Sequence, residues 1–528
     1  MRTLRAALIA TLVLAAPASA AGPLAPGMPD RTFAGDGTLR SKLGSGRTTA
    51  ASAVLPLASG RLAVVTSDDT VVRLKASGVR DPRFGTRGVA RVRFFGDSND
   101  RVVALAEDTD AALVVAGTKG RDVLAVRRLL PNGRVDRAFG GAIVTLATPG
   151  FVTGVDVAMA PDGTALVAAV VVRPYSAPVA PSLVVLALDR QGRRVPGFGA
   201  DGLATIPLDP SFEHSGTALV RLPDGRLRYA INSWVPGRGY RINLAGLTAD
   251  GQPDTALGPG GMLALGRLLP GIATAASDAS GRLLLSVIQS RPRPRLLVRA
   301  LTPDGAREPA FGADGIARIP LPFRADGPVA AIRANGDAAI AMTRLDRPRR
   351  PAVALVRRDG SLRARFGGRG FASVGGFHPR RGTFVDAAAV DGLDRLVLGG
   401  TVLAPVEPRE DFFLGSDDDA AMARIRLRRS PLSLPSRATV SRKGVMRVRV
   451  GCRAAGGCRA ALTARRASLR RRTVIRMRAG TQRVVQLRLG QAGVRLAARH
   501  LPMRLSVFVS AAGRLEPLAV SVRLRRSG

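Results

Sequence analysis

Along most of this chain the apolar residues fall in short runs separated by Gly, Pro and Asp. Between Phe139 and Phe198 the runs are "AIVTLAT", "VTGVDVAMA", "TALVAAVVV" and "PSLVVLALDRQG", with Asp162-Gly163 between the second and third. Runs this short, rich in β-branched residues and leucine, predict four β-strands. The Asp-Gly pair tolerates the positive φ that a tight hairpin needs. The same turn followed by an apolar run recurs in "LASGRLAVV" (57–65), "LPDGRLRYA" (222–230), "DASGRLLLSV" (278–287) and "RANGDAAIAM" (333–342).

A second mark recurs with it, of the form Leu-x3-Gly-x5-Phe-Gly. It is seen in "LLPNGRVDRAFG" (129–140), "LTPDGAREPAFG" (301–312) and "VRRDGSLRARFG" (356–367). Its anchors are Phe33, Phe84, Phe139, Phe198, Leu257, Phe311 and Phe366, spaced 51, 55, 59, 59, 54 and 55 residues apart. A repeat of this period predicts a propeller or a solenoid. Four strands per unit favour the propeller, because about fifty residues is long for a solenoid rung. With each unit beginning after an anchor, and the last ending at "DAAMARIRLRR" (419–429), the expectation is seven four-stranded blades over 21–429. The anchors read as structural joints that plug the space between blades. In this phasing the strand directly after each Phe-Gly lines the central channel. Those segments hold small and apolar residues, some arginine and no carboxylate.

The joints resemble those of the delta-60 repeat family of bacterial secreted and surface proteins. The likeness rests on "PDGAREPAFGADGIA" (303–317), "VPGFGADGLA" (195–204) and "PDRTFAGDG" (29–37), with the hairpin seen in "PDGRLRYA" and "DTDAALVVAG" (108–117). It covers roughly residues 29–429. It implies a propeller-like repeat fold and no particular reaction, so it brings no catalytic residues with it.

"SPLSLPS" (430–436) reads as a linker, since it carries two prolines and no charge. Beyond it, "VMRVRVG", "VVQLRLG", "MRLSVFVS" and "LAVSVRLRR" alternate apolar with Arg or another polar residue, the pattern of half-buried strands. Residues 437–528 are therefore expected to form a small immunoglobulin-like β-sandwich. Cys452 and Cys458 are the only cysteines and are expected to form one disulfide, as a strand-turn-strand clip.

Charge changes the picture most. The chain of 528 residues has a formal net charge of +41 and only four lysines. Such an arginine skew is what a GC-rich gene produces, so arginine count alone is no functional signal. Residues 432–528 differ: they hold 23 Arg or Lys and a single acid, Glu516. The densest part contains Arg465, Arg466, Arg470, Arg471, Arg472, Arg476 and Arg478. This composition predicts attachment to an anionic cell-envelope polymer or acidic glycan, with a merely solvated basic face as the alternative. Phe508 is the only aromatic there, which argues against sequence-specific nucleic-acid recognition.

Residues 1–20 read as a secretory signal peptide: Arg2 and Arg5, the apolar run Ala6–Ala16, and Ala18-Ser19-Ala20 as a cleavage site. An uncleaved anchor is the alternative. The mature chain is expected to be extracellular or envelope-associated, with no further membrane span.

Catalytic candidates are sparse. His214 and His378 read as loop residues outside any nucleophile motif. Asp417, Asp418 and Asp419, with Glu407, Glu410 and Asp411 upstream, offer hard oxygens for Ca²⁺ but lack a spaced calcium loop. A solvated loop is the preferred reading, and no cofactor is expected. Two function classes follow. One is a non-catalytic binding and scaffolding protein whose propeller loops meet a glycan or protein. The other is an extracellular hydrolase or lyase with a site in the central channel. Binding is favoured.

Overall fold

The computed structural model describes residues 25–526, except 42, 45–49, 93, 95–100, 174–178, 237–238, 267–273, 291, 347, 375–381, 404–418, 436, 442, 465–468, 470–471, 500 and 512–513. The leader expected over 1–20, His378, His500, Asp417, Asp418, Arg465, Arg466, Arg470 and Arg471 lie outside the described residues. So do Glu407, Glu410 and Asp411.

The fold is all-β and propeller-like. Among the described residues there are seven four-stranded antiparallel sheets and one larger sheet at the C-terminus. The first sheet is a meander of Ala51–Pro56, Leu62–Thr66, Thr70–Leu74 and Val89–Arg91. The next five repeat this order. Their innermost strands are Arg101–Glu107, Phe151–Met159, Glu213–Arg221, Thr274–Ser277 and Ala325–Ile332. The seventh sheet begins with Thr383–Val390 and continues through Arg395–Val402 and Asp419–Arg426. Its fourth strand is Thr38–Ser41, from the other end of the chain, paired to Asp419–Arg426. Each innermost strand touches the next, and Thr383–Val390 touches Ala51–Pro56.

This arrangement corrects the phase expected from the sequence. The segments that follow Phe-Gly (Val89–Arg91, Leu203–Pro207, Ile316–Pro320) are the fourth strands, at the far edge of each sheet. They do not line the centre. The joint reverses the chain within a sheet, from third strand to fourth. The crossing to the next sheet comes later, after the fourth strand.

The joint has a chemical basis. Its aspartate accepts a hydrogen bond from a backbone amide two residues on: Arg83 to Asp81 at 3.2 Å, Ala138 to Asp136 at 3.0 Å, Ala256 to Asp254 at 3.2 Å. This is the Asx turn that makes Asp a turn residue. The other carboxylate oxygen receives an arginine from an inner strand of the same sheet: from the third strand Arg73 on Asp81 at 3.1 Å and Arg128 on Asp136 at 2.6 Å, and from the second strand Arg228 on Asp254 at 2.6 Å. The anchor side chain is buried in all seven copies.

The two glycines of the motif interlock successive copies. Gly133 has φ +82°, and a Cβ there would lie 2.6 Å from the nitrogen of Gly85 and 2.9 Å from the Phe84 ring. Gly192 sits likewise on Phe139, and Gly251 on Phe198. Only glycine fits so close an approach with positive φ. Gly27 meets Gly367 in the same way, so the N-terminal copy covers the last joint.

The C-terminal sheet runs in the order Leu432–Ser433, Val445–Cys452, Arg437–Val440, Arg514–Arg526, Pro502–Ala511, Cys458–Ala464 and Thr473–Met477, with Gln482–Arg488 also paired to Val445–Cys452. One helix, Gln491–Ala498, packs against it. Alternation puts Val448, Val450, Leu487, Leu505, Val507, Val520 and Val522 in a single core. The stretch expected to be a linker is part of this unit. Leu432 is fully buried, Leu434 lies in the same core, and Arg453 donates its backbone amide to the Pro431 carbonyl at 2.7 Å. Leucines two residues apart bury on one face, a signal the uncharged, proline-bearing composition obscured.

Cys452 and Cys458 form a disulfide. They join the end of one strand to the start of another, and those two strands are not hydrogen-bonded to each other. The bond is thus the expected strand-turn-strand clip, and the two strands it joins are not ladder neighbours. Among the described residues no helix is long and apolar enough to cross a membrane.

Candidate functional site

The innermost strands follow one another in contact around the sheets, and six of them carry a register irregularity. A bulge leaves a residue outside the ladder and re-aims its side chain. Those released include Ser52, Val103 and Asp386, all exposed. Carboxylates are thus present on the lining strands, contrary to the sequence reading; besides Glu107 and Glu213 at strand ends, three lie within the strands, Asp156, Asp326 and Asp386. The corrected phase explains why they were missed.

Each of the three aspartates has a local partner. Asp156 accepts from the backbone amides of Val157 at 2.8 Å and Leu219, on the next sheet, at 2.7 Å. Burial pushes its carboxyl up to about 6, against those two hydrogen bonds. Asp386 accepts from the Thr401 hydroxyl at 2.8 Å; although solvent reaches its side chain, the protein atoms crowded around the carboxylate desolvate it and raise its carboxyl too. Asp326 accepts from the Gly327 amide at 2.8 Å. Among the described residues no group of three His, Cys, Asp or Glu is placed to hold a metal ion. Asp419 opens a strand of the seventh sheet.

His214 is not a surface loop residue. It lies on Glu213–Arg221 and is buried, with Nδ1 2.9 Å from the Ser233 hydroxyl and Nε2 2.8 Å from the Asp209 carbonyl. Burial lowers its pKa, which favours the neutral ring. A neutral imidazole with both nitrogens engaged is a structural crosslink between strand and loop.

The arginines divide into two populations. In the repeat region many face aspartates: Arg128 meets Asp108 and Asp136, Arg333 meets Asp337 and Asp394, and Arg395 meets Asp30 and Asp391. In the C-terminal module the pattern ends. Arg447, Arg449 and Arg488 are exposed, and strand register sets Arg447 beside Gln486, Arg449 beside Val484 and Arg488 beside Val445. On another face Arg459 lies directly opposite Arg476. The neighbouring row of that face is Val474, Ala461 and Phe508, with Phe508 45% exposed. Arg472, Arg476 and Arg478 of the expected basic patch are exposed as well. Among the described residues no ion pair reaches any of these arginines. Like charges directly opposite on a sheet repel, so this surface carries uncompensated positive potential. The sequence reading singled out the 465–478 cluster and passed over Arg447, Arg449, Arg459 and Arg488. Their signal was the alternation itself, which was read only as a fold pattern.

No family model matches this chain, and none of the curated proteins does. Solved structures resemble it at the level of overall fold. An α-L-arabinofuranosidase of Fusarium graminearum, in complex with an iminosugar inhibitor, is 10% identical with TM-score 0.39, over 63% of this chain and 94% of that one. An apocarotenoid oxygenase of Synechocystis is 9% identical with TM-score 0.37, over 61% and 71%. A protein of unknown function from Dyadobacter fermentans is 11% identical with TM-score 0.35, over 74% and 100%.

Proposed function

We propose that this chain is a secreted, non-catalytic binding and scaffolding protein of the delta-60 repeat type. In this reading residues up to 429 form a closed seven-bladed propeller. Its loops meet a glycan or protein, and a small immunoglobulin-like sandwich attaches to an anionic envelope polymer. The observation that carries the proposal is the contrast between the two arginine populations. Repeat arginines such as Arg128 and Arg333 are consumed by internal aspartates, whereas Arg447, Arg449, Arg459, Arg476 and Arg488 are exposed without an acid. Closure of the ring is supported by the pairing of Thr38–Ser41 with Asp419–Arg426 and by contact between the innermost strands of the first and last sheets.

The test is binding of the mature chain to purified cell envelope and to an acidic polysaccharide across a salt series. The expected result is affinity that falls steeply with salt, and that drops roughly ten-fold or more when Arg447, Arg449 and Arg488 are all changed to Gln. Affinity indifferent to both salt and the triple substitution would overturn the proposal.

A second reading has one observation in its favour. The raised carboxyls of Asp156 and Asp386 on the lining strands suit acid–base chemistry in the central channel, as an extracellular hydrolase or lyase would need. Glycan turnover that disappears in Asp386→Asn would establish it.

A further inference from the structure

Between the first and second sheets lies a cleft of about 780 Å³ lined by Arg80, Arg87, Arg91 and Arg134, with Thr86 among its polar groups and no carboxylate. Arg91 ends the fourth strand of the first sheet, and Arg134 comes from the turn that closes over Phe84. Arg80 is held in place by its hydrogen bond to the Leu43 carbonyl at 2.9 Å. Arg87, Arg91 and Arg134 are exposed, and no ion pair reaches them among the described residues.

Comparison within the chain sharpens this. At the equivalent place in the third sheet Arg194 lies 4.0 Å from Asp201, and in the fifth Arg307 is paired with Asp314. In the first sheet the aspartate position is taken by Arg87. The backbone there is left-handed in all three cases, with φ +53° at Arg87, +50° at Asp201 and +56° at Asp314. Asp tolerates that conformation through local hydrogen bonding, whereas a long side chain gains nothing from it. The sixth sheet also has an arginine here, Arg369, but with Leu362 where Arg80 would be. Only in the first sheet does the internal Arg–Asp pair become two arginines. The cleft at the boundary of the fifth and sixth sheets, about 380 Å³, keeps a mixed lining with Glu308 and Asp359.

We propose that the four-arginine cleft is an anion-binding site for phosphate or sulfate groups, separate from the basic C-terminal module. Guanidinium forks match the tetrahedral oxyanion with paired donors, and Thr86 adds a hydroxyl. The volume exceeds one such group, so the ligand carries several, as a phosphorylated or sulfated chain does.

The test is site-resolved, because the C-terminal module also attracts anions. Arginines of the full mature chain are modified with phenylglyoxal and mapped by mass spectrometry. Each run is made without ligand, with inorganic tripolyphosphate, and with a sulfated oligosaccharide of similar charge. Arg91 and Arg134 should be labelled several-fold more slowly with at least one of the two probes, with Arg137, outside the cleft, unchanged. Protection by one probe alone assigns the group as phosphate or sulfate. In Arg87→Asp the pair seen in the sister sheets is restored, so thermal stability should be kept while the protection of Arg91 and Arg134 is lost. Arg137→Asp, with the same change in net charge, should leave protection intact. The proposal fails if neither probe protects, if Arg87→Asp remains protected, or if the two variants lose protection equally.

Discussion

The guanidinium of Arg424 donates through Nε to the carboxylate of Asp30 at 2.8 Å, across 394 residues of chain, and each residue is only 1% exposed. Arg395 reaches the same oxygen at 3.1 Å, and the Arg424 guanidinium lies 5.0 Å from the centre of the Phe33 ring. This is the joint motif assembled from the two ends of the repeat region. Burial pushes the Arg424 guanidinium down to about 10, against the attraction of Asp30, so it stays charged at neutral pH.

Asp30→Ala would leave the buried Arg424 guanidinium without its paired carboxylate, whereas Arg395 keeps Asp391. The expected loss is about 3–5 kcal/mol, read by urea unfolding. Burial alone would raise the Asp30 carboxyl, but Arg424, Arg395 and Arg426 together hold it below the usual range. Its contribution is therefore complete above about pH 4 and disappears as pH falls through the lowered value. An Asp30→Asn variant should show a shallower acid transition than the parent chain. Equal acid profiles would contradict this role.

Asp156 has the opposite sign. Its carboxyl is raised to about 6, so it favours the folded state most when protonated. That contribution is complete below about pH 4 and is lost as pH rises through 6, at most about 3 kcal/mol. Melting temperature measured from pH 4.5 to 7.5 should carry this downward component in the parent chain, and Asp156→Asn should lack it.

Gly133 and Gly60 separate conformational strain from steric contact. Both have positive φ, at +82° and +73°, but a Cβ at Gly60 meets nothing within 4 Å. Gly60→Ala should cost about 1 kcal/mol. Gly133→Ala also drives a methyl into Gly85 and Phe84, and should cost at least about 2 kcal/mol more. Equal losses in chemical denaturation would mean that the interlock between copies is loose.

Reduction should act locally. The Cys452–Cys458 disulfide closes a short loop inside the C-terminal core, and its removal is expected to cost about 2 kcal/mol. Calorimetry of Cys452→Ser, Cys458→Ser should shift the unfolding of that module and leave the repeat region unchanged.

Much of the architecture was legible in the residues. Short β-branched runs and Asp-Gly turns specified strands and hairpins, and the recurring Phe specified the period. The cysteine pair and the acid-poor tail were equally plain, because each is a local property of neighbouring residues. The candidate surface was only half legible. The 465–478 arginines stood out by density, whereas Arg447, Arg449 and Arg488 stood out only once register set them on exposed strands.

Periodicity alone could not say where a unit begins, since a repeat reads the same from any starting point. Which strand lies at the centre is decided by long-range pairing, and that decision placed Asp156 and Asp386 on the lining strands. The same holds for the pairing of Thr38–Ser41 with Asp419–Arg426, for the burial of Leu432, and for Arg87 standing where sister sheets have aspartate beside an arginine. Composition and local pattern determine which elements form. Partners hundreds of residues apart are chosen by hydrogen-bond ladders, buried charge and close packing, which exist only when the chain has folded.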